Sequence, residues 1–75
     1  MLDQIRLARV RLAQDEPAES AAVGLRAVEL AGPVRSGVAI DLLTGYNAEL
    51  AARYPAYPAA LGFQNRLREH LRTVA

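Results

Sequence analysis

Three interruptions that each carry proline leave this chain little choice but short helices. They are "QDEP" at 14–17, Gly32-Pro33, and "YPAYP" at 54–58. Proline fixes φ and removes a backbone donor, so a helix stops or restarts wherever it stands. Between the breaks lie four segments rich in Ala, Leu, Arg and Glu, with none of the period-two alternation that a strand requires. The expected helices run from Leu2 to Gln14, Pro17 to Ala31, Val34 or Ser36 to Arg53, and Ala59 to Thr73. Asp15 or Glu16 is placed to cap the second helix, with Pro17 in its tolerated first turn. Connections this short make consecutive helices antiparallel neighbours. The sequence therefore predicts one all-α domain of antiparallel hairpins, with residues 1–33 forming the first and 34–75 the second.

Core material is scarce. At 75 residues the chain is near the size where one hydrophobic core only just offsets chain entropy. Its hydrophobic fraction is 52%, but much of that is Ala and aromatics supply only 5%, which favours thin helix-on-helix packing or help from a partner. The absence of cysteine rules out disulfides and thiolate metal sites and makes a reducing cytoplasm the expected compartment. No apolar run reaches membrane-spanning length, and the N-terminus lacks the charged-then-apolar pattern of a signal peptide. A formal charge of +1 is too small to argue for nucleic acid or an anionic membrane as partner of this chain alone. All nine basic residues are Arg, a compositional mark of a GC-rich genome.

The helix faces say more than the boundaries. In the first helix Met1, Ile5, Ala8 and Leu12 form one apolar stripe, and Leu7 and Val10 lie on another side. In the second, Ala18, Ala21, Leu25 and Val28 form one stripe and Val23, Ala27 and Leu30 a second. A helix apolar on two sides needs two neighbours. The last helix differs: Ala60, Phe63, Leu67, Leu71 and Val74 share a face, while Asn65, Arg66, Glu69, Arg72 and Thr73 cover the other. Two-sided helices in front and a one-sided helix behind describe a stack capped at one end only. The exposed stripes predict a homodimer, with Leu7, Val10, Val23 and Leu30 at its interface.

Residues 2–33 approach the length of one tetratricopeptide repeat and resemble that family in detail. Leu7-Ala8 stands where a large-small pair is expected, Glu19-Ser20 precedes the small Ala21, and Ala27-Val28-Glu29-Leu30 is followed by Pro33. Small residues at Ala8, Ser20 and Ala27 would let the two helices approach closely. Gln4 or Ile5 replaces the first aromatic anchor of that family, and Gly24 or Leu25 replaces a second large residue. Over nearly the whole chain, "RLAQDEPAESAAVGLRAVELAGPVRSGVAIDLL" and the later "FQNRLREHL" resemble the C-terminal region of actinobacterial transcriptional regulators. These carry an Xre-type helix-turn-helix ahead of a tetratricopeptide-like part. The resemblance implies a TPR-like α-α superhelix fragment that serves as a cytoplasmic interaction or sensory module, binding a peptide or mediating dimerisation. The chain is too short to include the DNA-binding domain, so that activity is not expected of it. In this family the first helix of each hairpin lines the concave groove, which makes Arg9, Arg35, Leu42 and Tyr46 the groove candidates.

Little in the sequence suggests reaction chemistry. His70 is the only histidine and, without cysteine, cannot assemble a metal site. Asp3, Asp41 and Glu49 are lone carboxylates that read as solvated surface. Arg6 and Arg9 read either as a charged face or as part of the groove, and Arg66, Arg68 and Arg72 with Glu69 as a solvated last helix. Tyr54 and Tyr57, each followed by proline, are placed to lock the corner between the third and fourth helices. There is no Gly-rich phosphate loop, nucleophile elbow or carboxylate pair, so neither an enzyme nor a cofactor site is expected. The expected function is protein or peptide interaction with self-association. The alternatives are a small helical DNA-binding regulator, which lacks a basic recognition helix here, and a docking or accessory domain of a larger synthase.

Overall fold

The computed structural model describes residues 2–31 and 37–74, apart from the side chains of Ala31, Thr73 and Val74. Four helices make up the described residues: α1 (Leu2–Ala13), α2 (Pro17–Ala31), α3 (Gly37–Arg53) and α4 (Pro58–Val74). No strand occurs among them. The Gly32-Pro33 break, Arg35, Met1 and the expected start of the third helix at Val34 or Ser36 lie outside the described residues.

The α1–α2 turn closes by backbone bonding. The Glu16 amide donates to the Arg11 carbonyl at 3.0 Å, and the Asp15 amide donates to that of Leu12 at 3.0 Å. This pair of bonds is the Schellman ending, whose pivotal residue must be left-handed. Asp15 is that residue, with φ 59°. The capping role expected of Asp15 is thus corrected: it terminates α1 instead of starting α2. Glu16 starts α2, its carbonyl accepting from the Ser20 amide at 2.9 Å, and Pro17 follows where a missing N–H costs nothing. In the second hairpin the Tyr57 carbonyl accepts from the Leu61 amide at 3.0 Å, so Pro58 opens α4 in the same way, one residue earlier than expected.

α1 packs most extensively on α2, and α2 next on α4. α3 touches α4 and α1 and, least of all, α2; α1 and α4 make no contact among the described residues. The helices therefore form a ring in the order α1, α2, α4, α3, with α2 and α3 meeting across the short diagonal. Although consecutive in sequence, α2 and α3 are the weakest pair, because α1 and α4 occupy most of the inner face of α2. The molecule measures 30 × 23 × 16 Å, and its thin direction has room for two helix layers about 8–10 Å apart.

The α1 stripe of Ile5, Ala8 and Leu12 is buried as its spacing requires. On α2 the expected Ala21 and Val28 are buried, and the rest of the face needs correction. Ala27, expected on an outer stripe, is fully buried, whereas Ala18 is exposed and Leu25 and Val23 are half-buried at the rim of the core. The inner face of α2 is set by smallness: Ser20, Gly24 and Ala27 recur at helical spacing and are all buried. On α4, Ala60, Phe63 and Leu67 are buried and Leu71 half-buried, while Asn65, Arg66, Glu69 and Arg72 face water. That helix is one-sided, as its pattern indicates.

Two aromatic rings fill the space that the small residues leave. Tyr46 of α3 and Phe63 of α4 meet edge to face with centroids 5.1 Å apart. Both press on Gly24, where a Cβ would come within 2.9 Å of each ring. The Ser20 hydroxyl donates to the Ala8 carbonyl at 2.6 Å and lies 2.5 Å from the Tyr46 hydroxyl. Ser20 has one proton and has committed it to Ala8, so Tyr46 is the donor to Ser20. Burial pushes the Tyr46 hydroxyl above its ordinary pKa, and the charge of Glu49 adds a further upward push.

In an open helix Gly→Ala is stabilising by about 1 kcal/mol. At Gly24 the sign should reverse, since both clashing groups are rings within a closed core. Gly24→Ala is expected to destabilise the fold by about 1–3 kcal/mol, read as a lower urea midpoint at unchanged m. A midpoint that stays or rises would contradict this packing.

Candidate functional site

Between α1 and α3 lies a cleft of about 320 Å³ lined by Leu2, Ile5, Arg6, Arg9, Val38 and Leu42. Helical spacing accounts for the lining. Leu2, Ile5, Arg6 and Arg9 follow one another at intervals that share a side of α1, and Val38 and Leu42 are one turn apart on α3. Ile5 forms the floor, since it also belongs to the core, and Val38 is 67% exposed at the rim. Arg6 and Arg9 have no ion-pair partner among the described residues. Arg9 extends across to α3, where its Nη2 would lie 3.3 Å from a Cβ at Gly45. The bare backbone of Gly45 is what gives the guanidinium room there.

Two of the four groove candidates, Arg9 and Leu42, come together in this cleft, and Arg35 lies outside the described residues. Tyr46 is not a groove residue. It shares a side of α3 with Leu42, but one turn further along, Ser20 and Gly24 admit its ring to the core, where it is only 1% exposed. The pattern of the sequence left out Leu2 and Val38 as lining residues. Their spacing to Ile5 and Leu42 was the available signal.

A second surface covers the outer sides of α1 and α2. Leu7 is 38%, Val10 49% and Leu30 59% exposed, whereas Val23 is half-buried against the core. These are the four residues expected at a dimer interface, and three of them remain open in the single chain. None of the four lines the α1–α3 cleft.

The two hairpin turns are tied together. The Tyr54 hydroxyl donates to Asp15 Oδ1 at 2.9 Å, and Arg53 Nη2 reaches the same oxygen at 3.2 Å. The bond to Asp15 holds the Tyr54 proton in place and raises its pKa above the ordinary value, with smaller upward pushes from desolvation and from the Asp15 charge. Tyr54 packs edge to face on Tyr57 at 6.0 Å, bracing the corner between α3 and α4. Asp3, Asp41 and Glu49 lie on the exposed surface and His70 is half-buried. No group of three His, Cys, Asp or Glu side chains able to hold a metal occurs among the described residues. Nothing among them points to an enzyme, and no helix among the described residues is long and apolar enough to cross a membrane. No protein-family model matches the chain, and no curated protein or solved structure matches it.

Asp15 unites a left-handed backbone with the carboxylate that ties the turns. Asparagine tolerates that backbone and alanine does not. Asp15→Ala is therefore expected to cost about 1–2 kcal/mol, and Asp15→Asn clearly less, as measured by thermal melts of the two variants. Equal losses would mean that the charge, and not the backbone, governs this turn.

Proposed function

We propose that this chain is a protein-interaction module of the tetratricopeptide-like kind, self-associating through the outer sides of α1 and α2. The observation that carries the reading is the exposure of Leu7, Val10 and Leu30 on a chain whose own core is already closed. A small protein with so little bulk to bury gains by covering such side chains with a second copy. The order of helix contacts supports the repeat-like arrangement. α1 and α3, the first helices of the two hairpins, lie side by side; α2 and α4, the second helices, pack on each other; and α1 and α4 do not touch among the described residues.

In this reading the α1–α3 layer is the recognition face for a peptide or protein partner, with Arg9 and Leu42 on it. The module resembles the sensory end of a transcriptional regulator and works in the cytoplasm, in keeping with a chain that has no cysteine. A two-fold dimer places α1, and with it α2, against their counterparts. Sedimentation across a wide concentration range tests this directly. The parent chain is expected to dimerise, and Leu7→Glu with Val10→Glu to yield a monomer that melts lower, because folding and association share apolar surface. A parent chain that stays monomeric and well folded at the highest concentration would overturn the self-association.

A further inference from the structure

The α1–α3 cleft has a chemistry more specific than that of a general recognition face. Its walls combine the apolar side chains of Leu2, Ile5, Val38 and Leu42 with the two guanidinium groups of Arg6 and Arg9. Arg11, Arg53 and Arg66 are paired with carboxylates of this chain, whereas Arg6 and Arg9, like Arg26, Arg68 and Arg72, have no such partner among the described residues; what sets Arg6 and Arg9 apart is that both line an apolar cleft. Gly45 leaves the α3 backbone bare under Arg9, so this side chain extends over the neighbouring helix. The volume, about 320 Å³, falls at the lower end of small-ligand pockets.

We infer that this cleft is a binding site for a small apolar carboxylate, a free acid with a short hydrocarbon tail. The tail lies along Leu2, Ile5, Val38 and Leu42, where it removes apolar surface from water. The carboxylate meets the planar N–H fork of Arg9, with Arg6 supplying a second positive charge. A neutral or cationic amphiphile of the same length would gain the apolar contact and forfeit the charged one. Charge complementarity therefore selects the ligand class. The site narrows the recognition face of the proposed function to a small acid in place of a peptide, and it does not depend on self-association, since Leu7, Val10, Val23 and Leu30 lie outside the cleft.

The test is an NMR titration of the full chain with sodium octanoate, with octanol and octyltrimethylammonium as matched neutral and cationic probes. Octanoate is expected to shift the Val38 and Leu42 methyl signals and the Arg9 Nε signal saturably, with a Kd on the order of 1 mM. The two other probes should bind at least about tenfold more weakly. Arg9→Gln should weaken octanoate by a similar factor. Octanol binding as tightly as octanoate would overturn the proposal, as would shifts confined to other surfaces or no shift at all. Binding of an acidic peptide at these residues without octanoate binding would likewise overturn it and assign the cleft to a partner chain. Sedimentation of the same samples reports self-association separately, so a failed titration beside an intact dimer removes the small-molecule site alone.

Discussion

The hydroxyl of Tyr46 donates to Ser20, and Ser20 donates to the carbonyl of Ala8. This buried chain runs from α3 through α2 to α1, and most of the fold depends on it being possible. It requires α2 to present a side chain no larger than serine at the point where three helices converge. One turn later it requires no side chain at all, because Gly24 receives the edges of both buried rings. Given those two residues, Tyr46 and Phe63 supply the bulk that an alanine-rich chain otherwise lacks. The polar chain also fixes register: a tyrosine hydroxyl buried without a partner would cost about 1–3 kcal/mol, so α3 is held where Ser20 can accept its proton.

The same scarcity of bulk explains the surfaces. Four helices with only two large rings at the centre close a thin slab, and aliphatic side chains on the outward sides of its helices remain exposed. Leu7, Val10 and Leu30 stay open on the α1 and α2 flank, and Val38 stays open at the mouth of the α1–α3 cleft. Exposed ion pairs such as those of Arg11 with Glu16 and Glu19 add little to stability. The tie from Tyr54 and Arg53 to Asp15 is also exposed, and it differs only in joining two turns distant in sequence. In the proposed function, the apolar groups left outside the core are the ones available to a partner.

The helices were legible in the sequence because proline acts locally. Pro17 and Pro58 open α2 and α4 wherever the rest of the chain lies, and the one-sided pattern of α4 fixes its inner face. The inner face of α2 was legible from hydrophobicity only in part: Ala21 and Val28 of the expected stripe are buried, whereas Leu25 is only half-buried. Leu25 outranks Gly24 and Ser20 on any transfer scale, yet steric fit to two rings from other helices puts the small residues inside. The role of Tyr46 was hidden for the same reason, since its place in the core depends on Gly24, 22 residues earlier in the chain. Arg9 and Leu42 were expected in a groove only through the resemblance to tetratricopeptide-like proteins, which implies that the first helix of each hairpin lines the concave side. The position of Arg9 over Gly45 could not be read at all, because it arises from how α1 meets α3.

The claim that Tyr46 and Ser20 act as one unit is tested most directly by a double-mutant cycle with Ser20→Ala and Tyr46→Phe, read by urea unfolding. Ser20→Ala alone strands the tyrosine hydroxyl in the core, whereas in the Tyr46→Phe background there is no hydroxyl left to strand. The two losses should therefore fall short of adding, with a coupling of about 1 kcal/mol or more. Strictly additive losses, within about 0.3 kcal/mol, would contradict the account and reduce the hydrogen-bond chain to a coincidence of packing.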